Sequence, residues 1–562
     1  MGYINESVIY NIYPLGFCGA PKENDFKQEY RLDKIYGWID HMKSMSVNAL
    51  VFNPVFESSK HGYDTIDYKK IDCRLGDNES FKKICKTLHD NGIRIMLDGV
   101  FNHVGRDFFA FKDVQQNREN SRYASWFENV NFRNNSPYND GFSYEGWAGY
   151  YDLVKLNLHN DEVVNYLLDC ARFWIDEFDI DGLRLDAADC IDIEFFKKLK
   201  NVCKEKKSDF WLYGEITHGD YNHWANPDVL DSVTNYECYK GIYSSHNDHN
   251  YFEIAHTVKY LQNMGDLDLY NFVDNHDVER IHTKLQNKAH FAPVHVLLYT
   301  LPGVPSIYYG SEFGIDGKKE KFSDASLRPA LDLEDYKEAT TKNPCTALIA
   351  ALGKVRQGTP ALSYGSYAEL ALTNRQFAFA RDLEGIRVIV TVNNDDSDSE
   401  MNLPTGSAPE YVGALTGQKV SAQGGRIRVR VAANSGEIWV PSEETSVPET
   451  FSENKDSIVE ETPVTQEEVK NEGSAETKTA SASSVPEAAN TKEDTDETPA
   501  SAEKEPVNFD PNKAPEDMSI EELQAGILAK MANNGPVTDQ MKKTVYDNIW
   551  HDSLVNWLKS FC

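Results

Sequence analysis

Four short stretches place acids, histidines and an arginine directly after apolar runs. They are Asp98 with Asn102 and His103; Arg184 with Asp186; Glu215; and Asp274, Asn275, His276 and Asp277 together. A lone Asp at the end of a strand is ordinarily a helix cap or a salt-bridge partner. Four strand ends supplying carboxylates or histidines are much harder to explain as capping. Carboxylates converging in an aromatic-rich setting suit glycosidic-bond hydrolysis. That reaction needs one carboxylate as nucleophile and one carboxyl group as proton donor, flanking an oxocarbenium-like transition state. Metal-assisted hydrolysis would ask for more histidines at fixed spacing, and no H-E-x-x-H cluster occurs.

The elements that position these residues follow from the apolar runs. VIYNIYP (from Val8), ALVFNP (Ala49), IRIMLD (Ile93), DGLRLD (Asp181), FWLYGE (Phe210), SVTNYE (Ser232), YNFVDN (Tyr270) and PSIYYG (Pro305) each have the length of a buried parallel strand. Amphipathic segments separate most of them. YGWIDHMKSMSV from Tyr36 is expected to be one helix. DEVVNYLLDCARFWIDEF is expected to be another, capped by Asp161. Eight strands alternating with helices predict an α/β fold, a TIM-type (β/α)8 barrel over residues 1–104 and 156–361. Catalytic groups of such barrels gather at the strand C-termini, where the four clusters lie. Residues 105–155, rich in Asn, Gly and aromatics, form an inserted loop domain over the mouth after strand 3. Alternating stretches such as RVIVTVNN and RIRVRVA predict a C-terminal antiparallel β-sandwich over 362–441.

Residues 442–512 are expected to be a disordered acidic linker, with 19 acids against 5 lysines between Pro441 and Asp510 and almost no aromatics. Residues 513–562 regain pattern as a helical hairpin. Ser519 and Glu522 make a capping box, and Ile520, Leu523, Ile527 and Met531 a stripe. The hairpin is too small for an independent core, so it is a candidate for self-association or for a protein partner.

The net charge of −32 argues against nucleic acid and anionic membrane as partners. Nine scattered cysteines without a C-x-x-C pair speak against a disulfide framework or zinc site. The start MGYINESVIYNIYP has no basic n-region or long apolar h-region, and no run of about 18 apolar residues occurs. Together these predict a cytoplasmic protein.

The segments DGVFNHVG, DGLRLDAAD, YGEITH and FVDNHD resemble, in order, the four conserved regions of the α-amylase family (glycoside hydrolase family 13). HGYDTIDY from His61, LVKLNL from Leu153 and GVPSIYYGSE from Gly303 resemble further family segments, so the likeness spans about residues 5–335. The resemblance implies a retaining α-glucan hydrolase acting on α-1,4 bonds, with α-1,6 bonds also open, in maltodextrins, cyclodextrins or starch fragments. A transglycosylase or isomerase using the same covalent intermediate is the alternative, and a non-catalytic glucan-binding protein a further one. It implies Asp186 as nucleophile, Glu215 as general acid/base and Asp277 as the residue steadying the transition state. His103 and His276 would bond hydroxyls of the sugar being cleaved, and Tyr63 would stack beneath it. Arg184, two residues before Asp186 and on the same strand face, would keep Asp186 ionised. His218 and the KLN segment at Lys155 to Asn157 resemble neopullulanases and cyclomaltodextrinases. Asp64, shared with those enzymes, would pair with an arginine, for which Arg328 is the candidate. Asp189 and Cys190 stand where many secreted relatives carry Lys-His, so that contact to the leaving sugar is missing. No cofactor is required by this chemistry. Asn102 matches a residue that binds structural Ca²⁺ in many amylases, which leaves calcium open.

Overall fold

The computed structural model describes residues 3–265, 267–321, 323–442, 513 and 518–534. Eight short parallel strands follow one another in chain order: β1 (Ile9–Ile12), β2 (Ala49–Phe52), β3 (Arg94–Gly99), β4 (Gly182–Leu185), β5 (Trp211–Gly214), β6 (Ser232–Val233), β7 (Tyr270–Asn271) and β8 (Val304–Tyr308). Each pairs with the next and β8 returns to β1. A single parallel bridge, Thr234 to Tyr270, links β6 to β7 and completes the ring. The strands are buried on both faces, which is why they are continuous apolar runs. Inward-facing Ile9, Val51, Met96, Trp211, Tyr213 and Phe272 fill the barrel. Gly182 sits among them because a Cβ there would lie 2.6 Å from the Trp211 carbonyl and 2.8 Å from Met96 Cγ.

Two helix expectations are corrected. The segment from Tyr36 is a 3-10 helix, Arg31–Trp38, followed by a short α-helix, Ile39–Ser44. The helix Asp161–Phe178 is capped by Asn160, whose side chain accepts from the Glu162 N–H; Asp161 is its first residue. Asparagine there meets the first-turn donors one position earlier than expected. The helix buries Val164, Leu167, Leu168, Ala171 and Trp174 against the barrel.

The insertion contributes the helix Phe109–Asn117 and the strands Gly146–Trp147 and Tyr150–Lys155. The last pairs antiparallel with His103–Gly105, so the insertion is stitched to the end of β3's loop. After the helix Pro360–Tyr364 come β9 (Ser366–Leu372), β10 (Gln376–Leu383), β11 (Ile386–Asn393), β12 (Ser399–Pro404), β13 (Glu410–Gly413), β14 (Lys419–Ser421), β15 (Arg426–Val431) and β16 (Ser435–Pro441). Six form one sheet in the order β9-β10-β11-β16-β13-β14, and β12 pairs with β15. Ala378, Ile389, Met401, Leu403, Ile427, Val429 and Trp439 pack between the two sheets. The opposite face, with Phe377, Val390 and Ile438, joins the barrel's own core.

The expected linker and the second helix of the hairpin lie outside the described residues. The helix Ile520–Asn534 is present. Ser519 and Glu522 cap it reciprocally, with bonds of 2.7 and 3.2 Å. No helix among the described residues is long and apolar enough to cross a membrane. The eight cysteines within them are free thiols.

Candidate active site

The register of the barrel assembles the site. Asp98 on β3 stands opposite Arg184 on β4, and Arg184 opposite Tyr213 on β5, so all three point inward at one level. The ladders run one step further: the Asp186 N–H donates to the Gly99 carbonyl and the Glu215 N–H to the Leu185 carbonyl. Asp186 and Glu215 therefore rise above Arg184 at the heads of neighbouring strands. The Arg184 guanidinium serves three carboxylates. Its Nη1 donates to Asp98 Oδ2 at 2.6 Å and to Asp186 Oδ1 at 3.1 Å, and its Nη2 lies 2.7 Å from Glu215 Oε2. Ala187, in the left-handed region at φ 45°, aims its N–H at Glu215 Oε2, 3.2 Å away. A non-glycine residue held there, next to Asp186, is backbone strain kept in place by its surroundings.

His103 and His276 stand on either side. His103 Nε2 is 3.9 Å from Asp186 Oδ2. Burial pulls its pKa down to about 3, so the ring is neutral and can donate or accept. His276 Nε2 is 2.9 Å from Asp277 Oδ2 and 2.5 Å from the Tyr63 hydroxyl. Tyr63 also donates to Asp98 Oδ2 at 3.1 Å, and its ring stacks on His276 with centroids 5.5 Å apart. Among the described residues, three buried polar atoms here have no partner: Asp98 Oδ1, His103 Nε2 and His276 Nδ1. Buried polar atoms are almost always bonded, so three together mark a place shaped for a polar ligand.

Arg184 acts on Asp186 in the expected direction, lowering it, but other influences are stronger. Burial, with the charges of Glu215, Asp98 and Asp277, raises the Asp186 carboxyl well above its ordinary range, and Arg184 only opposes this. One cation divided among several acids cannot neutralise each of them. Asp277 goes the other way. Burial would raise it, but His276, Arg328 and Arg184 outweigh that and hold it far below the usual carboxylate range.

The expected Asp64–Arg328 pair is not made. Arg328 Nη2 binds Asp277 Oδ1 at 2.8 Å and Asp324 Oδ2 at 3.1 Å. Asp64 accepts from the His61 N–H at 2.9 Å, with the His61 ring at 3.6 Å. Asp277 and Asp324 meet the Arg328 charge, and His61 is already beside Asp64. His218 is exposed on the loop after Glu215, bonded to the Thr217 hydroxyl. Asn102 is buried and its amide bonds to His103 Nδ1 at 3.2 Å. Among the described residues, the acids and thiols spaced for a cation are Glu57, Asp72 and Cys73, where Arg74 pairs with Asp72 and Lys70 with Glu57. No step below is routed through calcium.

Five residues join the site that sequence reasoning passed over. Asn53, ending β2, donates to Asp98 Oδ2 at 3.1 Å. Tyr13, after β1, lies parallel to His276 and beneath Arg328. Both precede a proline at a strand end, a signal that would have found them. Tyr236 accepts from Asn275 at 3.2 Å. Trp147 brings its ring to 5.5 Å from His103, and the exposed Tyr150 continues the stack 6.2 Å further out.

Comparison with known proteins places this geometry in a family. Residues 12–361 match the model described as alpha amylase, catalytic domain. A cyclomaltodextrinase of Thermoanaerobacter pseudethanolicus is 32% identical over 70% of this chain and 71% of its own length. Neopullulanase 2 of Thermoactinomyces vulgaris is 30% identical, covering 78% of each chain. Among solved structures, the Nostoc punctiforme debranching enzyme superposes with a TM-score of 0.68 at 28% identity, over 78% of this chain and 98% of that one.

Proposed function

Because the chain belongs to the α-amylase family of glycoside hydrolases, we propose that it cleaves α-1,4 bonds of maltodextrins, cyclodextrins or starch fragments by a retaining double displacement, with α-1,6 bonds as a further target. The observation that carries this reading is the buried guanidinium of Arg184 gathering Asp98, Asp186 and Glu215, with Asp98 Oδ1, His103 Nε2 and His276 Nδ1 left without a partner among the described residues.

A glucose unit bound there sets its hydroxyls against His103 Nε2, His276 Nδ1 and Asp98 Oδ1, over the ring of Tyr63. Asp186 attacks the anomeric carbon. The bond to the leaving oxygen breaks, and that oxygen takes the proton of Glu215. The sugar is then an ester of Asp186. Glu215, now a carboxylate, removes a proton from water, and the resulting oxygen nucleophile displaces Asp186 from the sugar. Asp277, held ionised by His276 and Arg328, faces the positive charge of both transition states. The reaction requires Asp186 ionised when it attacks and Glu215 carrying the proton that it gives to the leaving oxygen. Donors aimed at developing charge in a closed site are the largest source of such acceleration.

Asp186→Asn and Glu215→Gln should each lower kcat on maltoheptaose by at least about 10²–10⁴-fold while dextrin binding persists. Unchanged turnover in Asp186→Asn contradicts the nucleophile assignment. Products longer than the substrate would move the reading to transglycosylation.

A further inference from the structure

The helix Tyr236–Asn247 starts at the mouth and continues along the outside of the barrel. Tyr236 bonds to Asn275, two residues from Asp277. One residue on, Glu237, and one turn further, Lys240, border a cleft of about 410 Å³ between this helix and the next, Phe252–Gln262. Asn250, Phe252 and His256 form the other wall. Gly241 lets the helices come this close, since a Cβ there would press on Thr257 Oγ1 at 3.0 Å.

Phe252 is 49% exposed, and Tyr260, eight residues on, is 41% exposed. His256 lies between them and is exposed too. Residues four apart share a helix face, so the three make one solvent-facing row, about 12 Å long at 1.5 Å per residue. Single exposed apolar residues are ordinary. A row of rings beside a polar cleft is a surface built for a ligand with flat apolar faces. Asn250 Oδ1 is buried and has no partner among the described residues, and a hydroxyl donor would satisfy it. Acidic and basic side chains both line the cleft, which fits a neutral ligand, and the chain's charge of −32 disfavours a polyanion.

We propose that this cleft is an accessory α-glucan site that holds the part of a long chain lying beyond the mouth. It rests on the reading of the enzyme as an α-glucan hydrolase. The test uses the full chain carrying Phe252→Ala with Tyr260→Ala, and Phe252→Trp as the conservative variant. Migration in amylopectin gels, in the Asp186→Asn background, reads binding; kinetics with Asp186 intact read turnover. The double variant should bind amylopectin five- to tenfold more weakly and raise its KM to match, with kcat/KM on maltotriose unchanged and Phe252→Trp near the parent. Unchanged retardation and KM overturn the accessory site, and so does a parallel loss on maltotriose. If the parent hydrolyses neither amylopectin nor maltotriose, the α-glucan reading itself falls.

Discussion

Burial and three neighbouring acids raise the Asp186 carboxyl, and the acid side of the pH profile should follow it. As pH falls, Asp186 takes up a proton and loses its nucleophilic form. Asp98→Asn removes one repelling charge, so the Asp186 pKa should fall. The acidic limb of kcat/KM should then move to lower pH, even though total activity drops with the altered hold on Arg184. A limb that stays fixed, or moves upward, contradicts the charge argument. The acids themselves were legible in the sequence because each closes an apolar run. Their ionisation was not, because spacing shows that Arg184 shares a face with Asp186 but not that Asp98 and Glu215 take the same guanidinium. The Asp64–Arg328 expectation failed for a similar reason. Which of several acids an arginine meets is decided by packing far along the chain, and Asp277 lies 51 residues from Arg328.

The hairpin made by Gly146–Trp147 and Tyr150–Lys155 brings Trp147 against His103. It turns through Ala148 and Gly149, both at positive φ. Gly146 has no room for a Cβ, which would sit 2.3 Å from the Tyr150 carbonyl. From Asp186 outward, His103, Trp147 and Tyr150 form a continuous track of rings. Trp147→Ala should raise KM for maltoheptaose about three- to tenfold, the worth of one aromatic contact, and change kcat less. Equal KM values in variant and parent would remove the track from substrate binding. The sequence marked residues 105–155 as a mouth insertion through its Asn, Gly and aromatic content. It could not identify Trp147, because a two-residue strand has no periodicity to read. The barrel strands were readable because parallel strands buried on both faces are unbroken apolar runs.

Across the whole molecule, three buried neutral histidines tie stability to pH. Burial lowers His103 and His246 to about 3 and His295 to about 4, from an ordinary 6.5. Unfolding frees them to bind protons, so stability is full above about 6.5 and declines as pH falls toward the folded values. Each contributes a slope of about 1.4 kcal/mol per pH unit within that window. Tm should therefore fall clearly between pH 7 and pH 5, and His246→Gln, outside the site, should flatten the decline; a parent Tm flat over that range would contradict this. His246 and His295 lie in helices under the β domain, where Asn394 reaches the Ser245 and His290 neighbourhood. This joint was invisible in the sequence, since a histidine in a helical stripe gives no sign of what covers it. The two-sheet β domain was visible through its alternation, although its strands start only at Ser366, after a last helix.

The most direct test of the central claim is the anomeric configuration of the first product released from maltoheptaose, followed by proton NMR before mutarotation. Two displacements through Asp186 and Glu215 predict the α-anomer, with β-anomer appearing only as mutarotation proceeds. Release of the β-anomer first would mean a single displacement by water, and would contradict Asp186 as a nucleophile.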